Sequence, residues 1–353
     1  MKMKHTQKPS QKLHIQMKYV WLVGGAVALA AIIFVGVFVF NIFGIQHKGA
    51  AKELLQSRYP FDISDPELQG VNFTILPLKV NSVFEEVRPF ITADGKTLFF
   101  CRRNHPGNIS KQKDKQDIWY CTAEEGDNQW SETKDLGEPI NTKNADAICS
   151  ISSNGNEIFF ISDVIDQQKP LMHAVRQGTG WSEPVAMEIE DFYNLTAYID
   201  FYCNTKPKVL LMAIQREDSK GDQDLYVSFP KGENKWSAPV SLGAVVNSAQ
   251  ADFAPFLSAD GKTLFFSSYG HGGFGGCDIY ETTRLDDTWK KWSKPKNLGK
   301  GINSKREESY FSVSGDYKYI YFESYDLEHE VRDIFRANLP PDVKPTALQV
   351  SLQ

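Results

Sequence analysis

Cysteine is scarce in this chain: five residues in 353, at positions 101, 121, 149, 203 and 277. Their number is odd and none stands in a Cys-x-x-Cys or similar spacing, which excludes a structural zinc module and a disulfide-stapled scaffold. Cys101 and Cys121 fall at opposite ends of strands expected to pair, so the five thiols read as small apolar fillers in strands. Catalytic signatures are missing too, with neither a Gly-x-Ser-x-Gly nucleophile elbow nor a His-Glu-x-x-His helix. The one glycine run, Gly270 to Gly276, does not open a helix and is not a phosphate cradle. Acidic residues are absent from the first 18 positions, which hold Lys2, Lys4, Lys8, Lys12 and Lys18. The remaining residues carry 34 basic against 44 acidic side chains, a net −10, which argues against nucleic acid or anionic lipid as a ligand.

What the chain does have is a phrase that repeats. Asp94-Gly95-Lys96-Thr97-Leu98-Phe99-Phe100 returns as Asp260-Gly261-Lys262-Thr263-Leu264-Phe265-Phe266. Around it lies a longer template: an acid, an apolar stretch, the phrase itself, an Asp-Ile-aromatic strand, Trp-Ser, Leu-Gly and Ile-Asn. Five copies follow one another at a period of 52 to 60 residues. Short aromatic and β-branched runs bounded by Asp, Gly, Asn and Pro are strands, and Asp-Gly between two of them marks a tight hairpin. Each copy supplies about four antiparallel strands, as a propeller blade does.

The expected fold is therefore all-β: a five-bladed β-propeller over 71–339, with a six-bladed ring as the alternative. The fifth copy ends after Asp333-Ile334-Phe335 without Trp-Ser or Leu-Gly. Phe73 to Asn81 stands where the outer strand and Ile-Asn precede later copies, so an N-terminal strand is expected to complete the last blade and close the ring.

The phrases at 93–100, 258–267 and 275–280 resemble the WD40-like repeats of TolB-type β-propellers. The Trp-Ser, Leu-Gly and Ile-Asn signature is most similar to the branch found in Bacteroidota cell-envelope proteins. In longer members of that branch an OmpA-type wall-binding domain follows, some serving type IX secretion. This sequence ends at Gln353, after a short tail of 340–353, so wall binding is not expected of it.

Tyr19 to Ile45 is 27 residues without a charge. As a helix it spans about 40 Å, more than the ~30 Å of a bilayer core. No small-x-small cleavage site follows closely, so an uncleaved anchor is expected. The five lysines of 1–18 place that tail in the cytoplasm. Residues 46–70 then form a tether, and the propeller lies in the periplasm on the inner membrane.

Aligning the copies puts Glu86, Asp146, Asp252 and Glu308 at one position, the start of the innermost strand, with Tyr198 there in copy three and Asp200 nearby. Converging on the channel mouth, such a ring could hold a structural cation; the simpler reading is that each acid satisfies backbone N–H groups of its own blade. No other cofactor is implied. Loops on the same face carry Arg102, Arg103 and His105 in copy one and His271 and Phe274 in copy four; His329 falls nearby in copy five. They are the candidate binding face, and three loop histidines are better read as solvated than as a metal site. Trp130, Trp181, Trp236 and Trp292 recur where blades pack. The expected function is a non-catalytic platform for a periplasmic or envelope protein. The alternative is a glycan-binding or glycoside-hydrolase-like propeller with carboxylates at the channel mouth.

Overall fold

The computed structural model describes residues 73–111, 115–126, 128–162, 171–327, 330–340 and 343. The expected cytoplasmic tail, transmembrane helix and tether lie outside these residues, as does His329. Among the described residues no helix is long and apolar enough to cross a membrane.

The fold is an all-β propeller. The repeats predict five blades, with six as the alternative; the described residues form six sheets. Sheet one runs outward through Glu85–Ile91, Thr97–Arg103, Gln116–Thr122 and Lys134–Asp135. Sheet two is Asp146–Ile151, Glu157–Ser162, Leu171–Gln177 and Val185–Ala186, with Gly180–Trp181 also on its third strand. Sheet three is Asp200–Thr205, Lys208–Ile214, Asp224–Ser228 and Val240–Ser241. Sheet four is Asp252–Leu257, Thr263–Ser268, Asp278–Thr283 and Lys296–Asn297. Sheet five is Glu307–Val313, Tyr319–Asp326 and Val331–Asn338, completed by Phe73–Ile75.

The sixth sheet is the correction to the predicted count. It joins Glu188–Ile189 to Lys235–Trp236 and Pro230–Gly232. It is not a worn sequence repeat. The segment after sheet two runs parallel to the Trp236 strand, pairing Glu188 with Lys235 and Ile189 with Trp236. Periodic patterning cannot reveal strands this short.

The repeated phrases have local physical causes. In sheet one Thr92 Oγ1 donates to Asp94 Oδ1, which also accepts the Lys96 amide, while Gly95 takes φ +70°. Ser152-x-Asn154-Gly155 and Ser258-x-Asp260-Gly261 build the same turn. In Leu-Phe-Phe every residue is buried because the second strand is covered on both faces. Phe99 joins one core cluster and Leu98 and Phe100 another. The serine of Trp-Ser accepts a third-strand amide, as Ser131 does from Thr122, Ser237 from Phe229 and Ser293 from Thr283. The four recurring tryptophans are buried.

Leu-Gly and Ile-Asn form one clamp. Leu136 N–H donates to the Ile118 carbonyl, Gly137 turns at φ +74°, and its carbonyl accepts the Asn141 amide. The Asn141 side chain then accepts from Ile118 N–H and donates to its carbonyl. Asn247 grips Leu225 in the same way, and Asn303 grips Ile279. At closure Asn81 grips Ile334 from 253 residues away, and Phe73, Thr74 and Ile75 pair with Ala337, Arg336 and Phe335. The closing strand predicted from Phe73 to Asn81 is thus present. All five cysteines are free and buried.

Candidate functional site

The four aligned acids are structural. Glu86 accepts the amide and hydroxyl of Ser82 and the Arg102 Nε at 3.0 Å. Asp146 takes the amide and hydroxyl of Thr142, Asp252 the amide of Ser248, and Glu308 the amide and hydroxyl of Ser304 plus the Ser324 hydroxyl. All four are buried. Burial pushes the Asp146 carboxyl up to about 6 and the Glu308 carboxyl up to about 7, against the hydrogen bonds that lower them. None of the four lines the cavity at the channel mouth.

The candidate loop residues divide. Arg102 is a buried staple: it donates to Glu86, Thr133 Oγ1 and the Val80 carbonyl and lies over Trp119. His105 packs edge-on against Phe84 and Trp119, and burial, with Arg102 and Lys111 nearby, lowers it to about 4. His271 bonds the Val246 carbonyl at 2.7 Å and stands 3.7 Å from Asp252. Phe274 is exposed at its loop, with the Lys300 ammonium 5.9 Å from its ring. Among the described residues no group of three His, Cys, Asp or Glu is placed to hold a metal. Arg103 alone of these candidates lines the mouth.

That mouth is a cavity of about 610 Å³, which sequence reasoning did not assemble. The five innermost strands lie side by side around it. Strand pairing corrects the alignment in copy three. Asp200 pairs with Ala213, just as Phe253 pairs with Ser267, Val87 with Cys101 and Ser309 with Glu323. Asp200 therefore sits one position after the repeated acid, and Tyr198 is not its equivalent. Side chains alternate across a strand, so the acid and the next residue take opposite faces: the four acids are buried, while Val87, Asp200, Phe253 and Ser309 line the cavity.

Bulges then aim the following residue. The inner strands of sheets one, four and five slip register between Val87 and Phe90, Phe253 and Phe256, and Ser309 and Ser312. Arg88, Ala254 and Tyr310 occupy these bulges at φ +56°, +48° and +51°, a left-handed conformation costly for residues with a Cβ. Arg88 reaches across to Asp200 at 2.5 Å and lies 4.3 Å from the Tyr310 ring centre, and Tyr310 O–H donates to Asp200 at 3.0 Å. Burial pulls the Arg88 guanidinium down, but Asp200 and Tyr310 outweigh it and hold Arg88 above its ordinary value.

Above this plug the pairs continue. Glu323 accepts Arg332 at 2.7 Å, the Ser309 hydroxyl and the Arg88 amide. Glu85 accepts Arg103 at 3.3 Å. Arg103 Nε, Arg332 Nε and Gln116 Oε1 are buried in the cavity wall without a hydrogen-bond partner. Tyr198, 74% exposed, and Tyr269, stacked on Phe253 at 5.8 Å, line the same cavity.

Fold and site together define a β-propeller with a ligand-sized polar cavity at one mouth of its channel. No protein-family model matches the chain, and no curated protein matches it. Solved structures do share the fold. A glycoside hydrolase is 12% identical over 79% of this chain and 95% of its own, with a TM-score of 0.51. The α-L-arabinofuranosidase from Lactobacillus brevis is 14% identical over 76% and 93%, at 0.49. TolB from Acinetobacter baumannii is 12% identical over 74% of this chain, which spans 56% of that protein's length, at 0.44. At such identities the likeness is one of fold.

Proposed function

We propose that this chain is a non-catalytic binding propeller of a cell envelope, anchored in the inner membrane by the apolar run 19–45, with the propeller in the periplasm. Its channel-mouth face engages a partner there. The envelope assignment rests on the Trp-Ser, Leu-Gly and Ile-Asn signature, and the orientation on the lysines of 1–18.

The observation that carries the binding reading is the state of the carboxylates. The repeat acids are buried in their own sheets. Of those in the cavity wall, Asp200 is engaged by Arg88 and Tyr310, and Glu323 by Arg332 and Ser309. Glycoside hydrolysis needs one carboxyl held protonated to meet the leaving group. An acid clasped by a guanidinium is not placed to be that donor. The hydrolase-like reading keeps one observation: Asp222 and Glu307 line the cavity outside these ion pairs.

The test is photocrosslinking in native membranes from a benzoylphenylalanine placed at exposed Tyr198, followed by mass spectrometry. An envelope protein captured from position 198 and not from Lys134 on the outer edge supports the platform. Recovery of none overturns it, as does release of new reducing ends from a glycan panel that disappears in Asp222→Asn or Glu307→Gln.

A further inference from the structure

We infer that the channel-mouth cavity is a binding site for a short neutral oligosaccharide, read by stacking on aromatic rings and by hydroxyl hydrogen bonds to the polar groups between them. The inference rests on the mouth being a binding face, and it names the ligand.

The volume of about 610 Å³ lies within the roughly 300–1,000 Å³ of small-molecule sites. Two kinds of group line it. Tyr269 stacks on Phe253, and Phe253 meets Tyr310 edge-on at 6.0 Å, giving an aromatic run that reaches Arg88. Tyr198 lines the same cavity. Its exposure is not that of a loose loop: Asn194 Nδ2 donates to the carbonyls of Thr196 and Tyr198, and Asn194 Oδ1 accepts the Gln215 amide. Three hydrogen bonds thus fix the backbone of the loop that carries this exposed aromatic side chain.

The rest of the lining is largely polar, and its arginines are paired. Arg103 is paired with Glu85 and Arg332 with Glu323. Lining the cavity are three arginines and four carboxylates, Asp200, Asp222, Glu307 and Glu323. An anionic ligand would meet the surplus of acids, since each of the three guanidiniums is already paired. A neutral hydroxyl-bearing ligand can use donors and acceptors alike. The unpartnered Arg103 Nε, Gln116 Oε1 and Arg332 Nε are the wall groups whose hydrogen bonds a ligand, or water in its place, has to complete. Aromatic rings interleaved with fixed polar groups match a pyranose, whose C–H face is apolar and whose edge carries hydroxyls.

The full chain in phospholipid nanodiscs is titrated calorimetrically with neutral hexose and pentose oligosaccharides, uronate oligosaccharides and an extended neutral peptide. Binding of a neutral oligosaccharide that weakens about tenfold or more in Tyr198→Ala, roughly one stacking contact, and is kept in Tyr198→Phe is the expected result. Tyr198 is exposed, so neither variant endangers the fold. Preference for the uronates or the peptide overturns the inference, as does absence of sugar binding up to millimolar concentration, or equal affinity in Tyr198→Ala. Sugar binding without any crosslinked envelope protein would overturn the protein platform and leave the sugar site standing. A crosslinked protein without sugar binding does the reverse.

Discussion

Asn81 holds the two ends of the propeller together, and Asn81→Ala measures that role. Its Oδ1 accepts Ile334 N–H at 3.0 Å and its Nδ2 donates to the Ile334 carbonyl at 2.9 Å. Both residues are buried. The carbonyl keeps a second donor in Leu76 N–H at 3.2 Å, but the amide loses its acceptor. An orphaned buried donor costs about 1–3 kcal/mol and the lost carbonyl bond about 0.5–1.5, so the variant is destabilised by about 2–4 kcal/mol. Asn247→Ala removes the same two bonds from Leu225 within a sheet built from one continuous stretch of chain. Urea unfolding followed by tryptophan fluorescence should give similar losses for the two. Amide exchange should separate them. In Asn81→Ala the 334 amide and that of 336, which point to the closing strand, exchange rapidly well below the unfolding midpoint. In Asn247→Ala they stay protected. A loss under 1 kcal/mol, or protection at 334 unchanged from wild type, would refute the clamp.

Three further outcomes follow from buried groups. Arg88→Ala leaves Asp200 charged and buried beneath Tyr310, and should cost about 3–5 kcal/mol in chemical denaturation; Arg88→Ala combined with Asp200→Ala should recover part of it, and strict additivity would count against the pair. Glu308, raised to about 7 by burial, binds its proton more tightly folded than unfolded. The folded state is therefore favoured below about pH 4.5 and that advantage is lost as pH rises towards 7, so Glu308→Gln should flatten the fall in urea midpoint across this window relative to wild type. Burial lifts the thiols of Cys101, Cys121 and Cys149 to about 12, so iodoacetamide at pH 8 should label no cysteine in the native protein and all five in denaturant. Labelling of any of the five in the native protein would contradict the burial.

The repeat template carried the fold because its letters are load points of each sheet. Asp-Gly makes a turn, the serine of Trp-Ser caps a strand amide, and Leu-Gly with Ile-Asn clamps the third strand, so a pattern in sequence became a pattern in space. The closing strand was legible for the same reason: Leu76-Pro77 and Val80-Asn81 repeat the Leu-Gly and Ile-Asn geometry around Ile334. The sixth sheet was not, since two- and three-residue strands have no period to detect.

The candidate site shows the limit of the same reasoning. Aligned acids attract attention, yet a side chain that recurs in four of five copies serves what those copies share, here a Ser or Thr turn four residues upstream. The following position lines the mouth in four copies, and there they differ: Val87, Asp200, Phe253 and Ser309. That position could have been found by stepping one residue past the repeat. What could not be read is the crossing of Arg88 to Asp200. It depends on a bulge in sheet one and on an unbroken register in sheet three, and a bulge shifts by one residue which side chain meets the axis without changing the composition of the strand. Chemistry at the centre of a propeller is set by such one-residue slips between copies, so the mouth of this channel is individual even though its sheets are not.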